Sequence, residues 1–152
     1  MADKYYAVID TNVIVSALIS KKAESHPLSV MAHVYSGVII PVFNNEIINE
    51  YKDVLSGEKF HLNQSDIVLA MKAITDYGVN LERTKVNDEA FPDPKDIVFY
   101  EVKMSKEDAY LVTGNIKHFP QKPFVVTPKE MVEIIDSKME TEDNLPDGGR
   151  RT

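Results

Sequence analysis

Apolar positions along the chain fall into two alternating kinds of segment. Short, nearly continuous apolar runs rich in aromatic and β-branched residues occur at Tyr5-Tyr6-Ala7-Val8-Ile9, Val38-Ile39-Ile40-Pro41-Val42-Phe43, Ala109-Tyr110-Leu111-Val112-Thr113 and Phe124-Val125-Val126. Such runs read as strands covered on both faces, as in a parallel sheet. Between them, apolar residues recur at helical spacing. Val13, Ile14, Ala17 and Leu18 predict a helix from Thr11 to Ser20, and a second helix runs from Pro27 to Tyr35. Ile47, Ile48, Tyr51, Val54 and Leu55 predict one from Asn44-Asn45 to about Ser56, and Ile67, Val68, Met71 and Ile74 an inward face over Ser65 to Tyr77. A last helix spans Pro128 to Lys138.

Punctuation supports these bounds. Gly37, Gly57 and Gly78 follow helix ends, where glycine stops a helix at no steric cost. Val79 to Val86 reads as a short edge strand from a weaker alternation. Proline donates nothing to a ladder, so Pro41 is expected near a strand end or on an edge. Ile97 to Val102 has strong β-propensity, but Asp93 followed by Pro94 matches an N-cap and a first-position proline. A helix follows, with Asp96 as its third residue. Alternating strands and helices predict an α/β fold, a three-layer α/β/α sandwich with a central, mostly parallel sheet.

Composition narrows the picture. The 152 residues, 43% of them hydrophobic, suit one domain over 1–138, with an acidic tail over 139–152 expected to be disordered. No apolar run approaches the roughly 20 residues that cross a bilayer, and no signal peptide opens the chain. A cytoplasmic protein with no membrane association is expected. Absence of cysteine excludes disulfides, a thiolate nucleophile and cysteine-ligated zinc, and His26, His33, His61 and His118 lack close ligand spacing. A net charge of -7 argues against non-specific adhesion to nucleic acid. It leaves open a polyanionic substrate met through divalent cations.

Several acids sit where chemistry is possible. Asp10 ends the first strand, at the sheet edge where ligands bind in open α/β folds, and it equally suits the N-cap of the following helix. Glu50 falls at the border of its helix's apolar stripe, between core and water, whereas Glu46 and Asp53 point to the far side. A border glutamate that merely reaches outward would look the same. Asp93 and Asp96 lie at a helix start, where the dipole keeps carboxylates ionised and where acids also serve as caps. Thr113 leads into Gly114-Asn115 at the end of another strand, repeating the geometry around Asp10. Converging carboxylates repel unless a cation joins them, and Mg²⁺ or Mn²⁺ favours oxygen ligands. One or two such ions would support hydrolysis of a nucleic acid.

Four motifs carry a resemblance. Asp10-Thr11-Asn12-Val13, Glu50-Tyr51 within Glu46 to Leu55, Asp93-Pro94-Lys95-Asp96 and Leu111-Val112-Thr113-Gly114-Asn115 resemble those of PIN-domain nucleases, and most closely the subfamily of toxin components of toxin–antitoxin systems. The resemblance covers roughly residues 4 to 135. It implies a Mg²⁺- or Mn²⁺-dependent endoribonuclease acting on RNA, with an antitoxin protein as partner and a homodimer as its common state. It also implies Asp10, Glu50 and Asp96 as metal-binding acids, with Asn115 at a fourth position that is often aspartate. Asp93, Thr113 and Asn12 stand beside them. Lys21, Lys22, Lys95, Lys117 and His118 are the nearby basic residues, available to steer phosphates or simply solvated. A haloacid-dehalogenase-type phosphatase needs a second aspartate two residues after the first, where this chain has Asn12. A PIN-like module that binds protein or RNA without cleaving it is the remaining alternative, and Asn115 is the feature in its favour.

Overall fold

The computed structural model describes residues 3–143 apart from 21, 23 and 88. Five strands form one sheet: β1 (Tyr5–Ile9), β2 (Ile39–Phe43), β3 (Val79–Asn80), β4 (Tyr110–Val112) and β5 (Val125–Val126), in the order β3-β2-β1-β4-β5. Every pairing is parallel, so the expected mostly parallel sheet is wholly parallel. Six α-helices cover it: α1 (Thr11–Ile19), α2 (His26–Tyr35), α3 (Asn45–Leu55), α4 (Gln64–Tyr77), α5 (Asp96–Lys103) and α6 (Pro128–Asp143). The result is an α/β/α sandwich.

The strand order dictates where the helices lie. From β1 the chain steps outward to β2 and then β3, with α1 to α4 in the connections, and then returns across β2 and β1 to β4 through α5. Right-handed crossovers running in opposite directions put their helices on opposite faces. The α5 helix accordingly packs on β1, β2 and β4, while α2 contacts α1, α4 and α6. The direction reverses between β1 and β4, and a crevice opens at such a switch point beyond the carboxyl ends of the strands.

Pro41 departs from expectation. It sits mid-strand, opposite Ala7, in a strand with neighbours on both sides. The Tyr5 N–H donates to Val38 O at 2.9 Å, and Leu81 N–H donates to Phe43 O at 2.8 Å. Because alternate residues of a strand address opposite neighbours, Pro41 turns its nitrogen toward β3, which begins only at Val79 opposite Val42. No ladder bond is lost. Gly78 makes that approach possible: a Cβ there would stand 2.6 Å from Pro41 O.

Three other boundaries moved. The edge strand expected over Val79 to Val86 ends at Asn80, because the next residues bond to α5 instead, through Thr84 N–H to Glu101 O at 2.9 Å and Val86 N–H to the Glu101 carboxylate at 2.8 Å. In α4 the inward face is Ile67, Ala70, Ala73 and Ile74, whereas Val68, expected inside, is 53% exposed. The small alanines bring α4 close and rotate its stripe. Finally, α6 continues past Lys138 to Asp143, so residues 139–143 of the expected tail are helical. Lys138 to Asp143 contains no strong helix breaker, the first being Pro146. The rest of that tail lies outside the described residues, as does Lys21.

Candidate functional site

Asp10 follows β1 at the switch point. Its backbone amide donates to Val112 O at 2.9 Å, which fixes it beside the end of β4. The residue precedes α1 in extended conformation, yet its side chain makes no cap hydrogen bond. Instead Oδ2 accepts from the Thr113 hydroxyl at 2.7 Å and from Asn12 Nδ2 at 3.1 Å. The carboxylate is therefore turned toward the end of β4 rather than onto the first turn of α1. Asp10 is only 7% exposed, and burial pushes its carboxyl above the usual range against the opposing pull of those two hydrogen bonds.

Thr113 and Asn12 build the turn that holds Asp10. The Thr113 hydroxyl, fully buried, also accepts from Asn115 N–H at 2.9 Å. Asn12 Oδ1 accepts from Gly114 N–H at 3.0 Å. A Cβ at position 114 would stand 3.2 Å from that same oxygen, so glycine suits this close approach. The Asn115 side chain is exposed and forms no hydrogen bond among the described residues.

Asp96 opens α5. Asp93 serves the cap role in a turn just before the helix: its Oδ1 accepts from Lys95 N–H at 2.9 Å, and its carbonyl accepts from Asp96 N–H at 3.0 Å. The helix proper thus begins two residues later than the first-position proline implied, at Asp96 itself. The N-cap of α5 is Lys95, which makes no side-chain cap hydrogen bond. Asp96 Oδ2 is buried with no hydrogen bond, and His118 Nδ1 lies 3.5 Å away, an approach that becomes an ion pair when the imidazole is protonated. Burial, then the charges of Asp10, Asp93 and Glu50, raise its pKa to about 6, with His118 opposing.

Glu50 is half-buried at the stripe border of α3, as its spacing predicted. Asn44 caps this helix by accepting from Ile47 N–H at 2.9 Å. The next residue, Tyr51, is buried and donates from its hydroxyl to Ile9 O at 2.5 Å, which ties α3 to the residue before Asp10. Burial and the charges of Asp10 and Glu50 all hold the Tyr51 phenol in its neutral form. Tyr51 and His118 are the two neighbours of the site that spacing alone assigned to the core or to solvent. A tyrosine directly after a candidate acid, and a histidine three residues after Asn115, were the signals available.

Asp10, Glu50 and Asp96 therefore share one electrostatic field. Among the described residues no three Asp, Glu or His side chains stand close enough to cage an ion. A set of separate carboxylates, one with a buried oxygen that takes no hydrogen bond among the described residues, fits a hard divalent cation that keeps several waters. It does not fit a closed structural metal site. The buried Thr11 Oγ1, next to Asp10, is a second polar atom without a hydrogen bond.

A family model described as PIN domain matches residues 6–117, which takes in β1 through the turn after β4 and includes all these acids. No curated protein and no solved structure matches the chain.

Proposed function

The chain belongs to the PIN-domain family, whose members are generally nucleases that use divalent metals, and from that premise we propose that it is a Mg²⁺- or Mn²⁺-dependent endoribonuclease. The observation that supports this most is Asp96 Oδ2, buried and without a hydrogen bond among the described residues, in the field of Asp10, Asp93 and Glu50 and with His118 Nδ1 3.5 Å away. Carboxylates gathered in this way are costly unless a cation neutralises them.

In this reading Asp10, Glu50 and Asp96 hold the ion. When bound, such an ion activates water and offsets charge on the phosphodiester. The protein's own residues do the rest. Thr113 and Asn12 hold one oxygen of Asp10, Tyr51 fixes α3 against β1, and Asp93 closes the turn before α5. His118 supplies a cation beside Asp96 when protonated. The proposal extends to a role as the toxin of a toxin–antitoxin pair in the cytoplasm, with an antitoxin protein as partner and a homodimer as assembly. Support for that extension is the motif resemblance, together with the fact that no helix among the described residues is long and apolar enough to cross a membrane.

An RNA-cleavage assay with Mg²⁺ or Mn²⁺, with EDTA and with Asp10→Asn tests the reaction. Cleavage that survives both chelation and the substitution overturns the metal mechanism. The uncharged Asn115 favours a second reading, a binding module with a weakened metal site. Inactivity on varied RNAs together with no calorimetric Mn²⁺ binding would select it. Co-purification with the product of an adjacent small reading frame, and the mass in solution, test the toxin role and the dimer.

A further inference from the structure

A cavity of about 530 Å³, to which the proposed reaction assigns nothing, lies against the 3₁₀ turn that follows β4. Its walls include Phe119, Pro120, Pro123, Val125 and Val126, with Lys117 at its edge. That turn, Ile116–His118, links the cavity wall to one of the acids. Ile116 and Lys117 line the cavity, and the next residue, His118, approaches Asp96 at 3.5 Å. The link through the sheet is equally short. Val126 O accepts from Thr113 N–H at 2.9 Å, and the Thr113 hydroxyl holds Asp10.

Two properties bear on what this cavity would hold. The first is shape: two prolines fix backbone φ in the wall, and buried Phe119, Val125 and Val126 provide an apolar floor, so the cavity is preformed. The second is charge. In a chain of net charge -7, no acid occurs between Asp108 and Glu130, while Lys117, His118, Lys122 and Lys129 all do. Lys122 is engaged with Glu89 at 3.3 Å, but Lys117 forms no ion pair among the described residues. Glu130, the one acid in the wall, is committed to the α6 terminus, where it accepts from Thr127 N–H at 2.9 Å and Thr127 Oγ1 accepts its own amide at 3.0 Å.

We propose that this cavity is a subsite for one unpaired nucleobase flanking the scissile phosphate, with Lys117 on the neighbouring phosphate. The inference rests on the nuclease reading above. Single-stranded RNA splays its bases readily, and proteins bind them by combining apolar surface for the ring with cations for the backbone. An apolar peptide side chain would make no use of Lys117 at the cavity edge.

The test uses short single-stranded oligoribonucleotides in which one abasic residue is moved along the strand. Binding is measured first without divalent cation, and the Val125 and Val126 methyl resonances are followed by NMR. Removal of the base at one position is expected to weaken binding roughly tenfold. Gln121→Trp, which fills the cavity mouth from an exposed loop position, should lower affinity and abolish that dependence, and Lys117→Ala should weaken all strands alike. A flat abasic scan, or methyls that do not respond to bound RNA, overturns the subsite. Cleavage is then measured on the same strands. Cleavage with a flat scan leaves the nuclease standing and removes the subsite, whereas a position-dependent scan without any cleavage does the reverse.

Discussion

The Thr113 hydroxyl donates a 2.7 Å hydrogen bond to Asp10 Oδ2 across a sequence separation of 103 residues, joining the ends of β1 and β4 at the switch point. It is the closest polar contact that Asp10 makes, and it opposes the burial that favours the protonated acid. Thr113→Val keeps the shape and removes the donor. Hydrogen bonds to charged groups contribute about 1.5–3 kcal/mol, so a stability loss of that order is expected in denaturant titrations at neutral pH. The Asp10 pKa, followed by NMR, should rise further. Thr113→Ser should restore both, and a valine variant with unchanged Asp10 titration would show that the hydroxyl does not hold the carboxylate.

Asp96 gives the folded protein a distinctive dependence on pH. Its pKa rises from 3.8 to about 6, so between those values the folded state holds a proton that the unfolded state has released. Stability is fully present below the lower value and falls as pH rises toward the upper one. The shift corresponds to about 3 kcal/mol at full strength, which solvent screening at a partly open site reduces to about 1–2 kcal/mol. Asp96→Asn should therefore raise the melting temperature above pH 6 and leave it unchanged below pH 4. Mn²⁺ should stabilise the natural protein at neutral pH and not this variant. Equal melting temperatures at neutral pH in metal-free buffer would refute the shared-field account.

On the proposed reading Asn115 stands at a fourth position beside the three acids and brings no charge to it. Its side chain is exposed in the turn that Thr113 and Asn12 hold. Ligand charge tunes the affinity of carboxylate sites for divalent ions, so Asn115→Asp should tighten Mn²⁺ binding about tenfold by calorimetry. In EDTA the added like charge should lower the melting temperature. If the variant loses stability without gaining affinity, the position does not address the ion.

How much of this was legible beforehand varied with the physics involved. The places of Asp10 after a strand, Glu50 on a stripe border and Asp96 at a helix start were readable because these are local features, fixed by spacing along a few residues. Their common field was not, since it follows from a crossover that returns across two strands. Pro41 was misplaced for the same reason: which neighbour its nitrogen faces depends on where β3 begins. The turn before α5 misled by two residues because Asp93 caps it through Lys95 N–H before the regular helix starts. Arg83 gave no local signal at all, being one charged residue in a stretch with weak strand alternation.

Yet Arg83 joins the two helices that carry Glu50 and Asp96. Its Nη1 donates to Glu46 Oε2 on α3 at 2.9 Å, and its Nε donates to Glu101 Oε1 on α5 at 2.8 Å. The two ends are not equivalent. Glu46 is half-exposed, with a side chain 52% accessible, whereas the Glu101 side chain is 6% accessible and also accepts from Val86 N–H. A surface pair contributes about 0–1 kcal/mol, while removing one partner of a buried pair costs about 3–5 kcal/mol because a buried charge is left uncompensated. Arg83→Met should therefore destabilise by several times as much as Glu46→Gln in denaturant titrations. Adding Glu101→Gln to Arg83→Met should recover more than half of the loss, since the stranded charge is then gone. The recovered double variant still lacks the tie between α3 and α5, so its Mn²⁺ affinity should stay below that of the natural protein although its fold is restored. Recovery of both would mean that Arg83 only neutralises Glu101 and that the spacing of Glu50 and Asp96 is set by the packing of their helices alone.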